Sequence, residues 1–392
     1  MTVIVGYRRT PFVKANGVFA SVPATTLGAR ALAAALDVSG IAPGDIDVVL
    51  GGQVLQGGAG QNPARQAAVG AGVPMTTPAL TLNVVCLSGE EAVVQAHRLI
   101  TTGEARVVAA LGMESMSLAP HVWVGSRAGQ RFGPVELLDT MQHDGLSDAF
   151  EHDSMGLSTE RYGDAYGGAA WQTRAAQDAF AVTSHTRADA AAAFLRGEIA
   201  PVDVPGRRGS VTVDADDGVR PDASLDTLAH LRPAFRPDGT ITAGNASQIS
   251  DGAAALVLVA DDVADALGLT GVRILGHGLV AGPDVGLHLQ PAHAISSACA
   301  RAGMDGHGFA AVEINEAFAS VVLASTDHLG LDPALVNANG GAIALGHPIG
   351  ASGARIVGHL ARRLEALGPG AVGVASACGG GGQGSAVLLG MP

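Results

Sequence analysis

Residues 81–100 read TLNVVCLSGEEAVVQAHRLI. An apolar, strand-like run ends abruptly at Cys86, and a helix-like pattern begins immediately after it. The first turn of a helix has unpaired backbone N–H groups and a partial positive charge, and both favour a thiolate over a thiol. A nucleophile belongs at such a place; the competing reading is a buried structural cysteine.

Outward from this point the same alternation continues. Over residues 1–115, strand-like runs such as DIDVVLGG (45–52) and ARVVAALG (105–112) alternate with Ala-rich helical stretches such as LGARALAAALDV (27–38). That alternation predicts a largely parallel sheet covered by helices. Residues 116–243 are more polar and irregular, with a helical stretch near 172–195 and a turn-rich VPGRRGSVTVDADDGVRPDAS (204–224). From AGNASQISDGAAALVLVA (243–260) the α/β alternation resumes and runs to the end. The expected organisation is an N-terminal half (1–115 plus 244–265), an inserted loop domain (116–243) and a C-terminal half (266–392). No close internal sequence repeat is visible, so any duplication would show only in structure.

Composition narrows the function. A chain of 392 residues exceeds the size at which one core stops growing, so two or more domains are expected. Hydrophobic residues make up 47% and charged residues 15%, against about 25% charged in an average domain, which points to extensive subunit contact. No apolar run approaches the roughly 18 residues of a membrane span, and the opening MTVIVGYRRTPFVK lacks a signal-peptide pattern. A cytoplasmic protein is expected. A formal charge of −13 argues against a nucleic-acid surface. Cys86, Cys299 and Cys378 form no C-x-x-C pair, disulfide framework or zinc signature, and Cys299, in PAHAISSACARAG, reads as core.

Glycine, with 55 residues, is about twice its usual share and clusters around the candidate reactive groups. The tail CGGGGQG fits G-x-G-x-x-G through Gly379, Gly381 and Gly384. A dinucleotide site fails on context, because the fingerprint needs a following helix and an acidic residue about 20 positions on, and only eight strand-like residues follow Gly384. In GGAIALGHPIGASGARIVGHL (340–360), His347 lies between Gly346 and Pro348, with Gly350 and Gly353 opening the next helix. Proline restrains the histidine to extended geometry, and the flanking glycines let a substrate approach the imidazole. Such a histidine can act as general base or donate to a developing oxyanion; a solvated loop residue is the alternative. Cys378 in another glycine-rich turn adds a second thiol. Two cysteines and a histidine suggest separate proton and acyl tasks.

Together the motifs resemble the thiolase family, over nearly the whole chain. They are RTP (9–11), NVVCLSG (83–89), GMESMS (112–117), AGNASQISDGAAA (243–255), NEAFA (315–319), GHPIGASGAR (346–355) and CGGGGQG (378–384). The resemblance implies a thiolase fold, two similar α/β halves in a layered αβαβα arrangement with an inserted loop domain. It also implies two-step acyl transfer, interconverting two acetyl-CoA with acetoacetyl-CoA and CoA. Cys86 resembles the nucleophile that becomes acetylated. His347 resembles the group that takes the Cys86 proton and then helps bind the thioester oxyanion, beside a water held by Asn315. Cys378 resembles the acid/base at the substrate α-carbon. The N–H groups of Cys86 and Gly380 resemble the second oxyanion hole.

For the CoA carrier the resemblance implies Leu146, Met155, Ala246, Ser247, Ala317 and Phe318 along the pantetheine, with Arg220 near the nucleotide. An ordinary surface charge is the other reading of Arg220, and a helix cap before DGAAA that of Ser247. Arg207 and Arg208 are further candidates for phosphate charge. The chain departs from the pattern in three places. Ser154, Met155 and Gly156 stand where many short-chain biosynthetic thiolases have His-Met-Gly, with His152 two residues early. Glu90 replaces an apolar residue, and its charge would favour the helix N-terminus and raise the pKa of the thiol. VGLHLQPAHAI (285–295) replaces a Gly-Pro-rich pattern. Alternatives are a degradative 3-ketoacyl-CoA thiolase for longer or branched chains, a silent acyl-CoA-binding protein on the same fold, and a ketoacyl synthase, a branch that uses two histidines with one cysteine. The resemblance implies no metal and no cofactor beyond the CoA thioester substrates, and a homotetramer built from tight dimers.

Overall fold

The computed structural model describes residues 1–206, 209–306 and 308–392, so Arg207 and Arg208 lie outside the described residues. The main strands are β1 (Thr2–Arg9), β2 (Val48–Gly52), β3 (Ala79–Leu82), β4 (Val107–Glu114), β5 (Ser250–Ala260), β6 (Val272–Ala281), β7 (Ala311–Ile314), β8 (Val372–Gly379) and β9 (Gln383–Gly390). The principal helices are α1 (Ala24–Ser39), α2 (Pro63–Gly70), α3 (Ser88–Thr102), α4 (Met155–Gly163), α5 (Arg174–Ala190), α6 (Gln290–Ala302), α7 (Ala319–Leu329) and α8 (Ser352–Leu367).

Strand order is β7-β8-β9-β6-β1-β5-β4-β2-β3. The β6–β1 junction is short, pairing only Thr2 with Ile274, Val3 with Arg273 and Ile4 with Val272. On either side of it lies a sheet of the same construction. In the first, β3 and β4 flank β2 in parallel, and β5 and β1 follow antiparallel. In the second, Val336 bridges to β7 in parallel, β7 pairs with β8 in parallel, and β9 and β6 follow antiparallel. Both halves therefore place their strands in the chain order third, second, fourth, fifth, first. This is the duplication that the sequence hid.

Both faces of each sheet are covered. Along β4, Val107, Ala109, Leu111 and Met113 pack under α1 and α2, whereas Val108 and Ala110 face the other way. That second face meets α3 and α8, which lie between the two sheets. Helices α6 and α7 cover the outer face of the second sheet, with Ile295 and Val322 packed over Val312, Val374 and Leu388. The layers run α, β, α, β, α. Strands buried on both faces read as continuous apolar runs, and each fully buried Leu, Ile or Val contributes about 1.5–3 kcal/mol.

In the middle layer α3 and α8 meet at backbone contact. A Cβ on Gly89 would lie 2.7 Å from Ala354 N, and one on Gly353 would lie 2.7 Å from Glu90 Cβ. Only glycine permits that approach. It brings the start of α3 beside the start of α8, and so Cys86 near His347 in space.

Residues 116–243 carry α4, α5 and a hairpin (Val202–Gly206 with Gly209–Val213). A buried ion network ties this segment to the core. Arg9 meets Asp216 at 2.6 Å and Glu198 at 3.1 Å, Glu198 meets His359 on α8 at 2.5 Å, and Arg363 meets Glu313 at 2.5 Å. Burial raises the Glu198 pKa, but His359, Arg9 and Arg362 outweigh it and hold the carboxyl at about 2. Two expectations fail. The sheet is not largely parallel, because five of the eight pairings along the strand order are antiparallel and three parallel; and DGAAA is part of strand β5, so Ser247 caps no helix. Alternating small and β-branched residues read as well in a buried strand as in a helix.

Candidate active site

The segment between β3 and α3 makes a tight elbow. Val85, a β-branched residue, sits at φ 50°, a strained conformation that its surroundings must enforce. Asn83 Oδ1 accepts from Val85 N at 3.0 Å, and Ser88 Oγ donates to Val85 O at 2.6 Å while accepting from Val84 N at 2.9 Å. Cys86 rides on this elbow, half-buried, and α3 begins two residues later at Ser88. The N–H groups of Gly380 and of Cys86 itself point at its sulfur and lower its pKa.

The thiol is nonetheless pushed up to about 11, first by burial and further by the charge of Glu114. The helix N-terminus therefore does not make a resting thiolate, because desolvation of the anion outweighs a terminal dipole. Nor does Glu90 act on the sulfur. It is fully buried between α3 and α8, neither carboxyl oxygen has a partner among the described residues, and burial with its neighbour Glu91 raises its pKa well above the usual range. The carboxyl group that acts on Cys86 is Glu114, which the sequence reading passed over inside GMESMS. Buried at the end of β4, it accepts from Val54 N at 3.0 Å, Leu55 N at 3.1 Å and Gly350 N at 3.0 Å. Burial raises its pKa to about 7 against those hydrogen bonds. It joins the loop after β2 to the turn that follows His347.

His347 is buried, 6% exposed, and its N–H donates to Gln248 O at 2.9 Å. Its ring is held from both ends: Nδ1 lies 2.6 Å from Ser352 Oγ and Nε2 lies 3.5 Å from Asn315 Nδ2. Burial, with Arg355 nearby, lowers its pKa to about 4, so the imidazole is neutral. Asn315 follows β7, anchored by its N–H to Ser376 O at 2.9 Å, and its Oδ1 is buried with no partner among the described residues. The next residue, Glu316, braces this turn against the one before His347 by accepting from Ser184 Oγ (2.7 Å), Asn337 Nδ2 (2.9 Å) and Ile343 N (3.0 Å).

Cys378 lies on strand β8, opposite Gly384, rather than in the glycine turn, which follows at Gly380–Gly382. It is 1% exposed, and burial together with the neighbouring Cys86 raises its pKa strongly. The two sulfurs are thus electrostatic neighbours. Met155, Ala246, Ala317 and Phe318 pack in one apolar cluster with Cys378, and Leu146 packs in another with Cys86 and Ile349. Ser247 N donates to Ala317 O at 3.0 Å, which sets its chain beside the NEAF turn. Arg220 is exposed on a loop outside these clusters, and its backbone N–H donates to His185 Nδ1 at 3.1 Å. Cys299 is buried on α6, away from these groups. A cleft of about 710 Å³ opens at Val85, Met155 and Gly380 and passes Phe150 and His152. Among the described residues no group of three or more His, Cys, Asp or Glu is placed to hold a metal ion, and no helix is long and apolar enough to cross a membrane.

The geometry brings together two thiols, an imidazole, an amide and two backbone donors from both halves of the chain. The thiolase N-terminal domain model matches residues 2–262 and the thiolase C-terminal domain model residues 267–391. A probable acetyl-CoA acetyltransferase of Mycolicibacterium smegmatis is 49% identical over 99% of this chain and 100% of its own. The acetyl-CoA acetyltransferase of Chromobacterium violaceum is 47% identical over 99% of both chains. The crystal structure of the Bacillus anthracis acetyl-CoA acetyltransferase superposes with a TM-score of 0.95 at 36% identity, covering 100% of this chain and 98% of that one. A doubled five-strand plan, an elbow thiol, a second buried thiol and these full-length likenesses leave one conclusion: the chain belongs to the thiolase family.

Proposed function

We propose that the protein is an acetyl-CoA C-acetyltransferase, interconverting two acetyl-CoA with acetoacetyl-CoA and CoA through an acetyl-Cys86 intermediate. The observation that carries this reading is the pair of neighbouring thiols with unlike surroundings. One has two N–H donors at its sulfur, and the other is enclosed by apolar side chains.

In the first half-reaction Cys86 gives its proton to His347 Nε2 as the sulfur attacks the thioester carbon. The N–H groups of Cys86 and Gly380 receive the oxyanion. The CoA–sulfur bond then breaks, and His347 returns the proton to the leaving thiolate. In the second half-reaction Cys378 passes its proton to His347 and, as a thiolate, removes one from the methyl group of the next acetyl-CoA. Burial makes that thiolate a strong base, which a weakly acidic α-proton requires. The enolate oxygen lies against His347 Nε2–H and a water held by Asn315, while its carbon attacks acetyl-Cys86. Cys86 departs as a thiolate and recovers the proton from His347, so every group returns to its starting state. Nothing in these steps calls for a metal or a further cofactor.

Leu146, Met155, Ala246, Ser247, Ala317 and Phe318 would line the pantetheine, with Arg220 toward the nucleotide. A homotetramer in the cytoplasm, serving fatty-acid metabolism, completes the reading. Association is supported by the exposed apolar residues Val124 (71%) and Phe132 (94%), and by Leu80 (49%) on the edge strand β3. The test is CoA-dependent loss of the acetoacetyl-CoA enolate absorbance beside 3-ketohexadecanoyl-CoA at equal concentration. Fast cleavage of only the short substrate is expected. Preference for the long one would replace this reading with a degradative thiolase, and no cleavage of either would replace it with a silent binder.

A further inference from the structure

Ser352 is the first residue of α8, 1% exposed, and neither composition nor motif gave it a part in the chemistry. Its Oγ lies 2.6 Å from His347 Nδ1 and 3.0 Å from Pro348 O. A hydroxyl has one hydrogen to give, and a carbonyl oxygen can only accept. With that hydrogen on Pro348 O, the Ser352 oxygen faces Nδ1 as an acceptor, and Nδ1 carries a proton. At the opposite end of the ring Asn315 presents its donor, Nδ2, to Nε2 at 3.5 Å. A donor there calls for a lone pair. Both ends name one tautomer, Nδ1–H with Nε2 unprotonated.

We propose that Ser352 is the positioning residue that fixes this tautomer and supports the imidazolium once His347 has taken a proton. The proposal rests on the acyl-transfer reading above. The proton leaves Cys86 Sγ and enters the Nε2 lone pair, giving a thiolate and an imidazolium with no change in total charge. The imidazolium has N–H groups at both ends, and Ser352 Oγ is the acceptor at Nδ1. The support matters because the ring is buried and Arg355 lies close enough to oppose its charge. The opposite network, with the hydroxyl donating to Nδ1 and Nε2 protonated, leaves no lone pair for the thiol. Loss of the hydroxyl lets that tautomer compete.

The test compares wild type, Ser352→Ala and Ser352→Thr in acetoacetyl-CoA thiolysis and in acetylation of Cys86 by acetyl-CoA, the latter followed by mass spectrometry. Iodoacetamide alkylation of Cys86 at pH 10, where the thiol ionises without His347, reports whether the elbow is intact. In the alanine variant, kcat and the acetylation rate should fall on the order of 10- to 100-fold, the value of a hydrogen bond to a charged group. KM should stay within about threefold, since the lost interaction serves the transition state. The threonine variant should recover most of the rate, and alkylation at pH 10 should be unchanged in both. An alanine variant acetylated within about twofold of wild type would overturn the proposal. So would parallel loss of acetylation and alkylation, or a threonine variant as slow as alanine, because the hydroxyl would then only start the helix. A wild-type enzyme that never acetylates Cys86 would instead remove the acyl-transfer reading, and the two failures are distinct.

Discussion

Cys86 should be a thiol at rest, not half of a thiolate–imidazolium pair. With its pKa at about 11, the thiolate fraction at pH 8 is on the order of 10⁻³, against about 10⁻¹ for a thiol at 9. His347 at about 4 leaves a gap of about seven units between base and acid, so the charge-separated pair is on the order of one part in 10⁷ before substrate binds. The assay is iodoacetamide modification at short times from pH 6 to 11, reading the Cys86 peptide by mass spectrometry with the buried Cys299 and Cys378 as internal controls. The rate constant should climb about tenfold per pH unit through pH 8–10, level near 11, and at pH 8 lie about 100-fold below that of an ordinary thiol. Glu114→Gln removes a charge that raises the thiol, so the midpoint should move down. A plateau in the alkylation rate between pH 6 and 9 would refute the reasoning, because the thiol would then ionise with its partner imidazole near neutrality.

Three further outcomes follow from the geometry. Cys86→Ala should form no acetyl-enzyme, whereas Cys378→Ala should still acetylate Cys86 yet lose condensation by on the order of 10²–10⁴, read by separating the half-reactions with labelled acetyl-CoA. Gly353→Ala drives a methyl to 2.7 Å from Glu90 Cβ and should cost about 1–3 kcal/mol or more, read as a lower melting temperature with acetylation falling alongside it. Glu198 is held at about 2 against an ordinary 4.5; a depressed acid stabilises the fold above the higher value and loses that contribution as pH falls toward the lower. The loss amounts to about 3 kcal/mol once pH has fallen through about 2, with about half of it between pH 5 and pH 3, so urea midpoints should drop from pH 5 down to pH 2 in wild type and drop less in Glu198→Gln.

The sequence made the elbow at Cys86 legible because a change of periodicity at a polar residue is a local signal. It made His347 and the Gly380 turn legible because proline and glycine mark unusual backbone. What it concealed depends on burial and on partners far away along the chain. The acidity of Cys86 is set by packing and by Glu114, 28 positions on, and nothing local announces that burial raises the pKa of Glu90. Ser247 was open to a helical reading because DGAAA suits either kind of element when both faces are buried. The doubling of the fold was invisible because it is carried by strand order, which unlike side chains can satisfy. Glu114 lies in GMESMS and Ser352 in GHPIGASGAR. Neither is legible from its motif, because the effect of each is exerted through another group, Cys86 or His347.

The backbone seam between the two middle helices has a consequence for how such an enzyme can change. Gly89 and Gly353 let the starts of the two helices touch main chain to main chain, so the spacing of the reacting groups is set first by backbone, with the Glu114 and Glu316 carboxyl groups bracing the turns around it. A side chain at either glycine would push the two helix starts apart. The segment from Leu146 to Met155 is different, closed on itself by one bridge between Ser147 and Ser154 and a hydrogen bond from Met155 N to Leu146 O. Its two ends pack toward Cys86 and Cys378, but mutations at the exposed Ala149, Phe150 and His152 between them can reshape the mouth of the cleft without touching either thiol. Inheritance in this fold is partitioned, with a frozen reaction centre and an adjustable entrance, and a laboratory selecting new acyl groups should randomise the second and leave the first alone.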